Sequence, residues 1–227
     1  QNGPDMDFIA QLIASDETIK GIWCVPKYAN PNGVTYSNEV VQRFANLKPL
    51  ATDFLIFWDN AYCIHSLEEE SSSLLNIFDE CVKNNTQDSI YLFTSTSKVS
   101  FAGSGIACIG ASKNNIEWIQ EYRKIQTLGA DKINQLRHAH FFKNKETMIA
   151  HMKKHAHILK PKFDCVQSIL HEAFAQDNEV SWSKPRGGYF ISVDLPKNCA
   201  KKTVERCKEL GIIFTPAGST FPYANDP

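Results

Sequence analysis

The 227-residue chain is 43% hydrophobic and 11% aromatic, enough to bury a core and too apolar for a disordered or fibrous protein. Lys plus Arg number 24 against 25 Asp plus Glu, and no basic stripe is interleaved with aromatics. This balance argues against nucleic acid or a membrane surface as partner and points to a small molecule or another protein.

Seven cysteines (24, 63, 81, 108, 165, 199 and 207) form an odd count with no Cys-x-x-Cys pair, and several sit in apolar runs such as Trp23-Cys24-Val25. They predict reduced core thiols and a cytoplasmic setting. No apolar stretch approaches the ~20 residues that span a bilayer. Gln1 in first place and an end at Pro227, just past a strand-like segment, predict a portion of a longer polypeptide.

In chain order, "IKGIWCVPKY" (19–28), "FLIFWD" (54–59), "SIYLFTS" (89–95) and "GIACIGAS" (105–112) are short apolar runs without alternation. They predict strands of a largely parallel sheet covered on both faces. Helical patterns lie between them: "NEVVQRFANLK" (38–48), with Ser37 as N-cap, and "SSLLNIFDECVKN" (72–84). Strand alternating with helix is the mark of an α/β layer. Beyond Asn114 the pattern is helical for about sixty residues, ending in a long amphipathic stretch from Glu146 to Gln176, which Pro161 is expected to kink or break. A strand (188–195), a helix (199–211) closed by a C-capping glycine, and a strand "IIFTP" follow. A boundary near residue 145 separates residues 1–145 from 146–227.

In open α/β sheets, ligands bind beyond the carboxyl ends of the strands. Three strands here end in polar residues: the first in Asn30-Pro31-Asn32-Gly33, the second in Asp59 with Tyr62 close behind, the third in Ser95-Thr96-Ser97-Lys98. Taken alone, Lys98 would be a solvated loop lysine, Asp59 a turn former, Tyr62 a half-buried aromatic and Asn30 a turn residue. Together they meet the needs of pyridoxal 5'-phosphate: a lysine amine, a carboxylate for the pyridine nitrogen, donors near the phenolic oxygen and hydroxyls for the phosphate.

The ordered motifs Asn-Pro-x-Gly, Asp-x-Ala-Tyr and Ser-x-Ser-Lys resemble those of fold type I aminotransferases. The fuller wording "GIWCVPKYANPNGVTYS", "FWDNAY" and "TSTSKVSFAGSG" is similar to the MocR-like branch grouped with aspartate aminotransferases, and the likeness extends to "PRGGYF" and "TPAGSTFPY". The resemblance implies an α/β fold: a three-layer αβα large domain with a mostly parallel sheet, followed by a smaller α+β domain. Residues 1–145 would be the C-terminal part of the large domain, and 146–227 the interdomain helix with an incomplete small domain. It also implies a homodimer and an enzyme that moves the amino group of an acidic amino acid, aspartate, to 2-oxoglutarate.

Carried over by position, Lys98 would form the internal aldimine and Asp59 would pair with the pyridine nitrogen. Asn30 and Tyr62 would hydrogen-bond the phenolic oxygen, and Ser95, with Ser97 in support, would donate to the phosphate. An arginine that relatives place about eight residues after the lysine is replaced by Gly105 and Ile106. The resemblance puts the phosphate loop upstream of Gln1 and the substrate-carboxylate arginine downstream of Pro227. Two alternatives stay open: another reaction of the same cofactor, such as β-elimination, or a regulatory or degenerate homologue.

Other polar groups draw blander expectations. "HMKKHAH" (151–157) could pair His151 and His155 on a metal, but Lys153 and Lys154 oppose a cation, so a solvated basic face is expected. "HAH" (138–140) reads the same way. Arg186 is expected as an exposed loop arginine, and the glycines beside it as a tight turn.

Overall fold

The computed structural model describes residues 2–69, 73–221 and 223. The fold is α/β. Strands β1 (Gly21–Cys24), β2 (Leu55–Asp59) and β3 (Ile90–Ser95) pair in parallel in that order, and β4 (Ala107–Ala111) returns antiparallel to β3. The mostly parallel sheet expected from the apolar runs is present. Its fourth strand departs from that pattern because only a short loop separates it from β3, and a parallel return would need a crossover.

Helices α1 (Met6–Ser15), α2 (Asn38–Ala45) and α3 (Ile77–Lys83) carry the apolar side chains that close one sheet face. Val41, Phe44 and Cys81 meet Cys24, Ile56, Trp58 and Ile90 there, all nearly inaccessible to solvent. Phe44 stacks on Tyr36 at 6.0 Å between ring centroids and meets Trp58 edge-on at 5.6 Å. The opposite face holds a ladder of stacked rings, Trp23 on Phe57 and on Phe93, and Phe57 on Tyr91. On this face Trp23 is 62% exposed, while Tyr91 is buried.

Local signals set the helix starts. The Ser37 hydroxyl accepts from the Val40 amide, as expected for an N-cap, and Asn76, Ser112 and Asp131 cap α3, α4 (Lys113–Gln126) and α5 (Lys132–Phe142). The Asn76 cap also explains why the helix expected over 72–84 begins only at Ile77; Ser72 itself lies outside the described residues.

A capping box of Asn144 and Thr147 opens α6 (Lys145–Phe174). That helix runs on through Pro161, against the expected break. Proline deletes the one hydrogen bond its own nitrogen would donate to the His157 carbonyl, and the remaining turns of a 30-residue helix carry it past the gap.

In the C-terminal part, β5 (Ser181–Trp182) pairs antiparallel with β6 (Val193–Asp194), and α7 (Ala200–Glu209) ends at Gly211, whose φ of +84° supplies the expected left-handed cap. The strand expected over 188–195 is only its last part, because Gly188 at φ +76° turns the backbone away into a loop. "IIFTP" forms no strand. The Ile212 amide is taken by the Cys207 carbonyl in the helix cap, and Ile213 stays 86% exposed.

The seven cysteines are free, yet only Cys24 and Cys81 are buried, while Cys108, Cys165 and Cys199 are exposed. Burial pushes the Cys24 thiol up to about 12, which suits an inert core group. Among the described residues no helix is long and apolar enough to cross a membrane.

The packing around Phe44 makes it the anchor of α2 on the sheet. Phe44→Ala should lower stability by about 3–5 kcal/mol, the usual cost of truncating a buried ring. The check is the denaturant midpoint of the full-length protein; an unchanged midpoint would contradict this packing.

Candidate active site

Register brings the predicted residues to one edge. Cys24 pairs with Trp58 and Trp58 with Leu92, so the carboxyl ends of β1, β2 and β3 lie at one edge of the sheet and Asp59 lies beside Phe93. The chain leaving β1 runs through Tyr28, which has φ +53° and is buried, into a turn headed by Asn30. That turn is closed by the Ala29 amide on the Val34 carbonyl, and Gly33 lies so close to Pro185 that a Cβ there would approach to 2.5 Å.

Asp59 ends β2 half-buried, with its Oδ1 accepting from the Ala61 amide at 3.0 Å. This turn carries Tyr62 inward, where it is 3% exposed. Burial, and after it the Asp59 charge and Tyr189, hold the Tyr62 hydroxyl above its ordinary pKa, so it remains a protonated donor. Lys98 sits on the turn after β3 with its ammonium 5.0 Å from the centre of the Tyr62 ring. The structure therefore brings Asp59, Tyr62 and Lys98 together, with Asn30 at the same edge.

Ser95 and Ser97 form a small polar cradle. Their hydroxyls are 3.3 Å apart, and the Ser97 amide donates to Ser95 Oγ at 3.4 Å. Gly105 backs this cradle: a Cβ on it would lie 3.0 Å from the Ser97 nitrogen and 3.1 Å from Ser97 Oγ. The position where the family resemblance implies an arginine is thus occupied by backbone in close approach. Ile106 belongs to the loop closure, exchanging hydrogen bonds with Thr96.

Several residues that fix this loop were not legible as such. His138, expected on a solvated face, is 7% exposed. Its Nδ1 lies 2.9 Å from the Asn134 carbonyl, and its Nε2 meets Thr96 Oγ1 at 3.1 Å and Ser100 Oγ at 2.8 Å. Thr96 Oγ1 also accepts from the Ile106 amide at 2.9 Å, so this hydroxyl joins His138 to the loop backbone. Asn134 adds donations to the Ser104 and Gly105 carbonyls, so α5 holds both ends of the glycine loop.

His151 is likewise not merely solvated, since its Nε2 donates to the Val99 carbonyl at 2.9 Å. Among the described residues no group of three potential ligands could hold a metal ion. Arg186 is exposed, as expected, and forks onto the Glu68 carboxylate, with Nε 2.7 Å from both oxygens. The glycines after it allow close approach: Gly188 donates to the His65 carbonyl, and a Cβ on Gly187 would come within 2.5 Å of that same oxygen. A lone histidine three residues past Tyr62 and a tyrosine after two glycines gave too little signal to single out His65 and Tyr189.

Pyridoxal 5'-phosphate suits this donor set. Lys98 offers the amine, Asp59 a carboxylate, Tyr62 and Asn30 neutral donors, and the Ser95 and Ser97 cradle, kept open by the missing side chain at Gly105, hydroxyl and amide donors for an anion. A Cβ at Gly105 would displace Ser97 by a few tenths of an ångström. Gly105→Ala should weaken cofactor binding by the full-length apoprotein about tenfold, equivalent to 1.4 kcal/mol. Gly129→Ala, at a glycine with nothing within 4 Å, should leave it unchanged. A cofactor titration giving equal affinities for wild type and Gly105→Ala would contradict the cradle.

Residues 1–227 match the family model described as aspartate amino-transferase. A protein of Mycolicibacterium smegmatis named "Putative aminotransferase" is 43% identical over 227 residues, which are all of this chain and 53% of that protein. The aspartate aminotransferase of Corynebacterium glutamicum is 38% identical over 227 residues, all of this chain and 52% of its own length. The crystal structure of an aspartate transaminase from Corynebacterium glutamicum superposes with a TM-score of 0.96 at 38% identity, covering 100% of this chain and 53% of that one. The chain spans about half the length of these relatives. With the family model matched from end to end and the strand-edge constellation in place, the chain belongs to the aspartate aminotransferase family.

Proposed function

We propose that this chain carries the cofactor-attachment half of a pyridoxal 5'-phosphate-dependent aminotransferase that transfers the amino group of aspartate to 2-oxoglutarate. The observation that carries the reading is the Lys98 ammonium 5.0 Å from the centre of the buried Tyr62 ring, with the Asp59 charge acting on the same tyrosine. The substrate choice is supported by the name of the Corynebacterium glutamicum relative, an aspartate aminotransferase. A homodimer and a division of the chain near residue 145 belong to the same proposal and rest on the family resemblance.

When bound, the cofactor supplies an electron-withdrawing ring that makes the substrate's Cα proton removable. The chain's own residues have distinct tasks. Lys98 Nζ would be the covalent attachment point and, once released, the base that takes the proton from the substrate Cα and delivers it to the cofactor's C4′ carbon. Asp59 keeps a proton on the ring nitrogen through charge, while its Oδ1 is held by the Ala61 amide. Tyr62 and Asn30 donate to the phenolic oxygen. Ser95, Ser97 and the Ser97 amide hold the phosphate, with hydrogen bonds to a charged acceptor contributing about 1.5–3 kcal/mol each.

Asp59→Asn keeps the shape and removes the charge. A carboxylate so placed should raise the ring nitrogen's pKa by several units, at about 1.4 kcal/mol per unit. The full-length variant should retain cofactor while aspartate-to-2-oxoglutarate transamination falls by about two orders of magnitude or more. Turnover near the wild-type rate would remove Asp59 from the mechanism.

Ser95→Ala should weaken cofactor affinity about tenfold, since one charge-assisted hydrogen bond to the phosphate is lost. A titration of the two apoproteins checks it, and equal affinities would mean that Ser95 does not hold the phosphate.

A further inference from the structure

Lys98 is exposed, yet the backbone that bears it is held by hydrogen bonds from distant side chains. Its carbonyl oxygen receives two side-chain donors from distant parts of the chain: His65 Nε2 at 3.1 Å and the Tyr189 hydroxyl at 3.1 Å. Two donors fill both lone pairs of a carbonyl oxygen. The next residue, Val99, is 3% exposed, and its own carbonyl is held by His151. The peptide planes on both sides of Val99 are therefore fixed, and the direction in which the Lys98 side chain departs is fixed with them.

His65 is built into this arrangement from both ends. Its backbone amide donates to the Tyr62 carbonyl at 3.0 Å, and its backbone carbonyl accepts from Gly188 at 2.9 Å. The side chain is 5% exposed and lies edge-on to Tyr62 and Tyr189, with ring centroids 5.6 Å and 5.3 Å away. Donation to a carbonyl requires the proton on Nε2, which leaves Nδ1 as a buried acceptor without a hydrogen-bond partner. Burial holds the imidazole below its ordinary pKa, consistent with the neutral tautomer. Leaving one nitrogen of a buried ring unsatisfied costs free energy, and a purely apolar ring would fill the same space without that cost. The donor at Nε2 is the function that an apolar ring could not perform.

We infer that His65 is a positioning residue: with Tyr189 it clamps the Lys98 carbonyl and so aims the lysine amine over the Tyr62 ring. The inference rests on the proposed role of Lys98 as the attachment point. It also links the loop over residues 185–190 to the lysine, because Gly188 holds His65 by the backbone while Tyr189 holds Lys98 directly.

The test uses the full-length apoprotein and added pyridoxal 5'-phosphate. Covalent uptake on Lys98 is followed over time by borohydride quenching and quantitation of the pyridoxyl-labelled peptide, with the thermal midpoint of each apoprotein measured alongside. His65→Phe keeps the ring and removes the donor; it should slow uptake about tenfold, equivalent to 1.4 kcal/mol, with the thermal midpoint little changed. His65→Gln, which can place an amide N–H near the Nε2 position, should restore most of the rate. Tyr189→Phe removes the second donor and should slow uptake in the same direction; it decides the matter if His65→Phe fails to fold.

Wild-type and donor-deleted proteins labelling Lys98 at equal rates would overturn the clamp and leave the proposed function standing. Equal slowing in His65→Phe and His65→Gln would show that ring packing matters rather than the donor, and would also overturn it. Absence of label on Lys98 in the wild type would overturn the functional reading, and the clamp with it.

Discussion

The parallel register of β1, β2 and β3 is the constraint on which the site depends. Pairing Cys24 with Trp58 and Trp58 with Leu92 brings the carboxyl ends of three parallel strands to one edge, and the residues that follow each strand emerge there. Slipping one strand by a single residue would exchange its two faces and remove Ile56 and Trp58 from the core. The apolar packing of α2 and α3 on that face therefore holds the polar edge in alignment. Stability and site geometry come from the same contacts.

The antiparallel return of β4 adds a second constraint. Ser95 pairs with Ala107, and Thr96 exchanges hydrogen bonds with Ile106, so the lysine-bearing segment is a closed loop rather than a free connection. α5 reaches into this loop through Asn134 and His138, α6 through His151, and the segment before α3 through His65. A long flexible side chain is thereby mounted on a rigid base. Lysine loses much rotamer entropy when ordered, so a fixed origin for the chain reduces the number of directions it must give up.

Much of this was legible from residue order. Apolar runs without alternation gave the strands, Ser37 and Gly211 gave a helix start and a helix end, and Asp59, Tyr62 and Lys98 announced themselves because strand ends are where α/β sheets place chemistry. The supporting shell was not legible. His65, His138 and His151 act through hydrogen bonds to backbone carbonyls and hydroxyls across long separations, and such contacts leave no local pattern. "HAH" and "HMKKHAH" looked like solvated faces because periodicity cannot reveal which side of a helix a distant loop will meet. The segment 188–195 looked like a strand by composition, yet Gly187 and Gly188 serve close approach to Tyr28 and His65, a tertiary demand that overrides propensity.

The most direct measurement is the position of the covalently held cofactor. The full-length protein, purified with pyridoxal 5'-phosphate and reduced with borohydride, should yield one pyridoxyl-labelled peptide, and fragmentation should place the label on Lys98. Lys27 is the informative competitor, because it follows β1 at the same sheet edge and is itself buried. Label on Lys27 or any other lysine, or none after saturation with the cofactor, would contradict the account.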